Sequence, residues 1–151
     1  MNYLLVWGVI GSILFSLIVI LFFLTGIIYV AVENPDPKTK KKGVIGSLII
    51  LFGIILIQSV STISSLDIYR NNADYIGIFV LNYALYLLLF LYDTFIIDIV
   101  ILVKWHPNFL HLPDDEVFTS VNYHLRTLIP GSILGLAVTA ISVFLTSFIF
   151  K

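Results

Sequence analysis

The chain has 151 residues, of which 60% are hydrophobic and 11% are charged, and its formal net charge at pH 7 is −1. A soluble domain is nearer half apolar and one quarter charged, so this composition excludes an ordinary soluble protein and predicts an all-α integral membrane protein. The small net charge gives no reason to expect nucleic acid as a partner. Cysteine is absent, which excludes disulfides, thiolate metal sites and a cysteine nucleophile.

Four stretches are long and apolar enough to cross a bilayer, whose core of about 30 Å needs roughly 20 helical residues. We predict a single transmembrane domain over residues 1–151, with spans at about 4–30, 44–66, 75–103 and 131–150. The first stretch is about twice as long as the apolar core of a signal peptide and no basic residue precedes it. We therefore expect it to remain in the mature protein.

The first connection, Glu33 to Gly43, combines two prolines with four lysines and is predicted to be non-helical. Lysine and arginine favour cytoplasmic loops. Most of the basic residues lie in the first and third connections, so we predict that these two connections are cytoplasmic. Both termini are therefore predicted to be extracytoplasmic, in a multi-pass protein of the cell membrane. The lysines of the first connection are also candidate ligands for anionic lipid headgroups. A role in fixing the orientation of the chain in the membrane explains their presence equally well. These lysines are Lys38, Lys40, Lys41 and Lys42.

The second span ends in polar residues, which we expect either to line an extracellular vestibule or to form hydrogen bonds within the bundle. Small residues recur at helical intervals in the first, second and fourth spans and predict close helix packing. The polar residues are Gln58, Ser59, Ser61 and Thr62, and the small residues are Gly8, Ser12, Ser16, Gly46, Gly53, Gly131, Gly135 and Thr139.

Two acids inside the third span, Asp93 and Asp98, are the most informative residues in the sequence. Counting back from Lys104 at about 1.5 Å per residue places Asp98 roughly 9 Å and Asp93 roughly 16 Å from the cytoplasmic end of the helix. Each acid opposes insertion by about 2.5 to 3.5 kcal/mol, so both must face the bundle interior or a wet cavity. In an α-helix they would lie about 140° apart, which predicts separate partners rather than a carboxylate pair.

Asn82, Tyr86 and Asp93 fall on one stripe of the third helix and predict a polar seam that leads towards the bilayer centre. Three interpretations of Asp93 remain open. In the first, Asp93 is an uncharged carboxyl group that forms a hydrogen bond to a neighbouring helix. In the second it handles protons or a cation, and in the third it is a catalytic or metal-binding group.

Asp98 lies closer to the cytoplasmic surface, where His124, Lys104 and Arg126 are its candidate partners. A structural ion pair is one interpretation of this residue. The other is a proton access point, because a histidine that titrates near neutral pH can pass protons to a buried acid.

The third connection, Lys104 to Pro130, is predicted to contain an interfacial helix at about 114–129. Pro113 and the three acids that follow it are typical of a helix start. From there, apolar residues and His124 recur on one face and polar residues on the other, which predicts a helix lying on the cytoplasmic membrane surface. Pro130 is predicted to kink or break the chain before the last span.

The same connection holds three candidate metal ligands, His106, His111 and Asp114, in a spacing that matches no metal-binding motif. A histidine beside Trp105 is also typical of a residue pair that anchors a helix at the membrane boundary. No nucleotide, dinucleotide or nucleophile-elbow motif occurs, so no cofactor is predicted and no catalytic residue is assigned.

Part of the chain is similar to a known family. The residues that match are Asp93, Asp98, Lys104-Trp105-His106-Pro107-Asn108-Phe109, Pro113, His124 and Gly131. This part resembles a family of small bacterial membrane proteins with four transmembrane helices. In that family an intramembrane Asp-x4-Asp precedes a basic-x-Pro loop, a Pro-Gly turn and a histidine before a glycine-led last helix. This sequence departs from the pattern at Asp114, where the family has glycine, and at Ile99, where it has tryptophan. The resemblance implies the four-helix fold and highlights the two acids and the histidine, without implying an activity.

The leading interpretation is a small polytopic membrane protein with a proton- or cation-linked binding or transport role, centred on Asp93, Asp98 and His124. Four helices rarely enclose a wide pathway, so we expect a homo-oligomer or a partner membrane subunit in the lipid bilayer. The second interpretation is a non-catalytic accessory, assembly or immunity protein whose aspartates are structural. The third, which is less favoured, is a membrane-embedded enzyme that acts on lipid-like substrates.

Overall fold

The computed structural model of the chain describes residues 3–27, 37–64, 75–110 and 112–149. These ranges are mostly helical and contain no β-strand, so the all-α prediction is confirmed for them. In chain order the elements are α1 (Tyr3–Thr25), α2 (Pro37–Ser64), α3 (Tyr75–Tyr92), a π-helical segment (Asp93–Trp105), a short 3₁₀ helix (Asn108–Leu110), α4 (Glu116–Thr119), α5 (Val121–Arg126) and α6 (Leu128–Ile149).

Four of the helical stretches are long and apolar enough to cross a membrane, as the sequence predicts. They are Tyr3–Thr25, Lys40–Ser64, Tyr75–Trp105 and Leu128–Phe148. The third stretch combines α3 with the π-helical segment. α2 and α3 each contact the other three long helices.

Hydrogen bonds between the long helices fix their relative directions. The hydroxyl of Tyr3, at the start of α1, lies 2.7 Å from the Ser61 hydroxyl near the end of α2, and it donates to Oδ1 of Asn82, near the start of α3, at 2.9 Å. α1 and α3 therefore begin at the end of the bundle where α2 finishes, which we call the Tyr3 end. α4 and α5 pack against the π-helical segment at the opposite end, which we call the His124 end.

The first connection differs from its prediction. α2 begins at Pro37, before the four lysines, so these exposed residues lie in the first two turns of the helix. A proline suits the first position of a helix because its missing N–H would have no intrahelical acceptor there, and lysine is a good helix former. α1 ends at Thr25, earlier than predicted, because Gly26 adopts a left-handed conformation with φ 71° that stops the helix. The remainder of that predicted span and connection, residues 28–36, lies outside the described residues.

The third connection holds two short helices where the sequence predicts a single interfacial helix. Asp115 caps α4, since its carboxylate oxygen accepts a hydrogen bond from the Val117 N–H at 3.0 Å. Ser120 then adopts an extended conformation and caps α5, its hydroxyl accepting from the Tyr123 N–H at 3.3 Å. The extended backbone at Ser120 is what interrupts the predicted helix.

The break before the last span lies at Thr127, three residues earlier than the predicted position at Pro130. Pro130 is the third residue of α6. The first four N–H groups of a helix have no intrahelical acceptor, so a proline at this position costs the helix no hydrogen bond. The chain therefore breaks ahead of the last span, and the proline lies inside the first turn that follows.

The outer surface of the bundle is apolar, while part of its interior is polar. Leu24 is 78% exposed, Ile76 74% and Ile129 75%. The buried polar residues are Gln58, Ser61, Thr62, Asn82, Thr94, His124, Thr139, Ser142 and Thr146. A soluble protein keeps most polar side chains outside and large apolar patches inside, so this arrangement suits an apolar surrounding medium.

Close packing at Gly135 generates a testable prediction. A Cβ atom on this residue would overlap the ring of Tyr86, whose hydroxyl is held by a hydrogen bond of 2.9 Å to the Gly131 carbonyl. Gly135→Ala should therefore lower the free energy of unfolding in detergent by about 1 to 3 kcal/mol, the usual cost of overpacking, as measured by denaturant or thermal unfolding.

Gly53→Ala is the matched control for this substitution. Its added Cβ atom would lie 3.2 Å from the terminal carbon of the Ile18 side chain, which would have to shift by only a few tenths of an ångström. Because alanine also has the higher helix propensity, this variant should be at least as stable as the wild type. Equal stability of the two variants would contradict the close contact at Gly135.

Candidate functional site

Asp93 and Asp98 lie in a segment that departs from α-helical geometry. Asp93–Trp105 forms a π-helix, in which backbone hydrogen bonds join residues five apart instead of four. The segment is rich in isoleucine, valine and threonine, whose branched side chains lose freedom in an α-helix. The two acids are five residues apart and therefore follow one another on adjacent turns of this wider helix. The predicted separation of about 140° assumed an α-helix, and it is wrong for this segment.

Asp98 is paired with His124 of α5. Its Oδ2 atom lies 3.0 Å from Nδ1 of the histidine, whose side chain is 6% exposed against 24% for the aspartate. α5 packs against the π-helical segment, and this packing brings the histidine onto the acid. The other two candidate partners, Lys104 and Arg126, are exposed, and within the described ranges neither forms an ion pair with Asp98.

The second ring nitrogen of His124 restricts where protons can reside. Nε2 lies 2.7 Å from the backbone carbonyl oxygen of Val117, which can only accept a hydrogen bond, so Nε2 carries a proton. The 3.0 Å contact between Nδ1 and Asp98 then requires one further proton, either on the ring or on the carboxyl group. The pair can therefore exist as imidazolium with carboxylate or as imidazole with carboxylic acid. These two forms differ only in the position of one proton.

The surroundings of His124 favour its protonated form. Burial alone disfavours a charged ring, but the hydrogen bond and the negative charge of Asp98 outweigh it, with further help from the Val117 carbonyl and the Asp93 carboxylate. Together they raise the pKa of the His124 imidazole above its ordinary value of 6.5. Because both acids act on the ring, we treat Asp93, Asp98 and His124 as one group, the acid-histidine site.

Asp93 borders a cavity of about 200 Å³ inside the bundle. Its lining comes from α1, α2, α3, α6 and the start of the π-helical segment, and includes apolar side chains such as Phe15 and Leu134. Tyr86 also lines the cavity, but its hydroxyl donates to the Gly131 carbonyl. Among the described residues, none donates a hydrogen bond to the Asp93 carboxyl group. Since a water molecule takes up about 30 Å³ in the liquid, the cavity has room for several.

Asn82, the third residue of the predicted seam, belongs to a separate polar cluster near the Tyr3 end. Its side-chain N–H donates to the Thr62 hydroxyl at 2.8 Å, and its Oδ1 accepts from Tyr3 at 2.9 Å. Nε2 of Gln58 donates to the Asn82 backbone carbonyl at 2.8 Å and to the Thr139 hydroxyl at 3.1 Å. These bonds join α1, α2, α3 and α6. We call this group the Gln58 cluster; it consists of Tyr3, Gln58, Ser61, Thr62, Asn82 and Thr139.

The sequence signalled only part of the Gln58 cluster. Its polar residues on the second span were expected to line a vestibule or to bond within the bundle, and the structure shows hydrogen bonds within the bundle. Tyr3 and Thr139 were missed as their partners. A tyrosine at the start of an apolar run and a threonine among small residues carry no polar pattern of their own, so their roles depend on which helices lie side by side.

Of the three candidate metal ligands, the structure describes His106 and Asp114, and it does not place either of them in a metal site. Within the described ranges, no group of three His, Asp or Glu side chains is placed to hold a metal ion. His106 ends the π-helical segment in a left-handed conformation with φ 42°, and its Nδ1 atom lies 3.1 Å from the Leu102 carbonyl oxygen and 3.3 Å from that of Phe118. Asp114 is exposed, and His111 lies outside the described residues.

Comparison with protein families, with curated proteins and with solved structures found no match to this chain. The resemblance to small bacterial four-helix membrane proteins therefore stays a prediction. Function has to be argued from the chemistry of the site, since a fold alone does not specify it.

Replacing Asp98 by asparagine should lower the pKa of His124. The substitution removes the charge and the carboxylate acceptor that raise this pKa and leaves the burial that lowers it. An NMR titration should place the His124 midpoint at a lower pH in Asp98→Asn than in the wild type. Asp114→Asn, which alters an exposed acid, should leave the midpoint unchanged. The pairing would be contradicted if both variants titrated like the wild type.

The raised pKa of His124 also gives stability a pH dependence with a definite sign. The protonated ring stabilises the folded state, and this contribution is complete below the unfolded pKa of about 6.5. It is lost as the pH rises through the higher pKa of the folded protein. The melting temperatures of the wild type and His124→Gln should therefore differ most at acidic pH and converge as the pH is raised. A difference that grows with pH would contradict this sign.

Proposed function

We propose that the chain is a multi-pass protein of the cell membrane in which the acid-histidine site takes up protons and passes them on, as part of a proton-linked binding or transport role. Four apolar helices and an apolar outer surface support the membrane location. The observation that carries the role is the 3.0 Å contact between Asp98 and the buried His124, in which one proton can reside on either group. Ionisable groups within membrane spans are costly to insert and are functional candidates for that reason.

In this proposal the His124 end faces the cytoplasm. The four lysines at the start of α2 lie at this end, as do Lys104 and Arg126, and basic residues favour the cytoplasmic side. α4 and α5 would lie at the membrane surface, and both termini would be extracytoplasmic. The exposed lysines would then meet anionic headgroups.

Proton uptake begins at Asp98, the more exposed member of its pair. The carboxyl group and Nδ1 of His124 exchange one proton between them, while Nε2 stays bonded to the Val117 carbonyl. Asp93 lies one π-helical turn further into the bundle and borders the cavity, so it is the next acceptor along the helix. π-helical turns occur frequently at functional sites, and here the winding brings the two acids onto adjacent turns.

A purely structural role for Asp93 is less well supported. The Gln58 cluster already joins four helices by hydrogen bonds that do not involve this acid. The carboxyl group of Asp93 receives no such bond from the residues that the structure describes. An acid next to a cavity, rather than next to a donor on another helix, fits proton handling better than helix association.

An enzyme acting on lipid-like substrates fits the site less well. Pockets for small organic ligands measure about 300 to 1,000 Å³, whereas the cavity beside Asp93 measures about 200 Å³. Both ring nitrogens of His124 are engaged, one by Asp98 and one by Val117, so the ring has no free nitrogen with which to activate a substrate or water.

Removing the acid of Asp93 tests the proposal directly. Asp93→Asn keeps the size of the side chain but cannot take up a proton, so proton flux in liposomes under an imposed potential should fall by at least about tenfold. A pH-sensitive dye inside the liposomes measures the flux. Asp114→Asn, which removes an exposed acid outside the spans, should conduct like the wild type.

Two results would count against proton handling. Wild-type flux in Asp93→Asn would remove the proposed role of this acid. If Asp93→Asn also kept its thermal stability while Asp93→Leu melted at a lower temperature, the acid would instead serve helix association.

A further inference from the structure

Gln58 is the only glutamine of the chain, and its side chain is 0% exposed. Its Nε2 atom faces the Asn82 backbone carbonyl at 2.8 Å and the Thr139 hydroxyl at 3.1 Å. A backbone carbonyl can only accept hydrogen bonds, so the NH₂ group of the glutamine, and not its oxygen, must lie on this side. The orientation of the amide is therefore determined by chemistry, which also fixes the position of Oε1.

Oε1 of Gln58 is buried and has no hydrogen-bond donor among the described residues. Two hydroxyl groups of the Gln58 cluster donate elsewhere, because Ser61 and Thr62 both donate to the Gln58 backbone carbonyl, at 2.8 Å and 2.9 Å. The Asn82 amide donates to Thr62. A buried carbonyl oxygen without a donor is costly, and folded proteins nearly always supply a protein group or a water molecule.

A neutral donor suits this position better than a cation does. Hard cations take about six or more oxygen ligands and favour carboxylates among them. The Gln58 cluster also contains no acid that would neutralise a buried positive charge. A buried water molecule needs only about three hydrogen bonds, and the hydroxyl oxygens of the cluster can still accept.

We propose that a water molecule binds at Oε1 of Gln58, donating one hydrogen bond to this oxygen and a second to a hydroxyl oxygen of the Gln58 cluster. This inference rests on the proposed function: the water extends the proton route from Asp93 towards the Tyr3 end. Asn82, Tyr86 and Asp93 succeed one another along one helix, and Tyr86 lines the same cavity as Asp93. Gln58 lies about one helical turn beyond Ile54, which lines that cavity, so the water is the next proton carrier beyond the cavity.

The single glutamine allows the water to be tested without substitutions. Cell-free synthesis with glutamine labelled with ¹³C at the side-chain carbonyl places one labelled group in the protein. The infrared band of this carbonyl should lie at the frequency of a hydrogen-bonded amide. A crystal structure that resolves ordered water should show density within hydrogen-bonding distance of Oε1. A band at the frequency of a free carbonyl, or a protein donor at that position, would overturn the inference.

The place of the water on the proton route is tested by flux. Gln58→Leu removes Oε1 and should lose proton flux in liposomes. Thr146→Val removes a buried hydroxyl group that lies outside the Gln58 cluster and bonds to backbone carbonyls of its own helix, so it is the matched control and should retain flux. Equal flux in the two variants would remove the water from the route.

The bound water and the proposed function can fail separately. A free Gln58 carbonyl in a protein that conducts protons would overturn the water and leave the function. A hydrogen-bonded carbonyl with density at Oε1, in a protein whose wild type and Asp93→Asn variant conduct equally, would uphold the water and reject the function.

Discussion

Polar groups buried among these helices have to find partners inside the bundle, because the outer surface is apolar. Near the Tyr3 end direct hydrogen bonds meet most of this requirement, and the amide N–H groups of Gln58 link the backbone of α3 to a hydroxyl of α6. The Oε1 atom of the same amide is left for the proposed water. At the His124 end it is met by the contact between Asp98 and His124, whose histidine comes from a short helix outside the four long ones. The two ends therefore satisfy the same requirement by different chemistry. Only the second contains a histidine, whose charge changes near neutral pH.

The π-helical segment connects these polar regions to the rest of the fold. Its winding places Asp93 and Asp98 on adjacent turns. Its outer part packs against α4 and α5, and this contact positions His124. The left-handed conformation of His106 ends the segment and turns the chain back towards these short helices. A change in the geometry of this one segment would therefore affect both acids and the histidine together.

α3 and its π-helical continuation carry the polar residues in the order Asn82, Tyr86, Asp93 and Asp98. The cavity beside Asp93 lies between the Gln58 cluster and the charge pair along this helix. Tyr86, which lines this cavity, joins α3 to α6, because its ring packs against Gly135 and its hydroxyl donates to the Gly131 carbonyl. The close contact with glycine thus holds one wall of the cavity in place. Helix packing and the proposed proton chemistry depend on the same residue.

The amino-acid sequence by itself determined the number of long apolar helices, their approximate bounds and the unusual status of Asp93 and Asp98. Hydropathy and length are sums over neighbouring residues, so they can be read locally. It did not determine which of His124, Lys104 and Arg126 pairs with Asp98. Nor did it determine that Tyr3 bonds to Asn82 or that the two acids lie on a π-helix. Those features depend on which helices are adjacent and how each is wound. Only the tertiary structure decides them, because a hydrogen bond requires two groups to meet within about 3 Å.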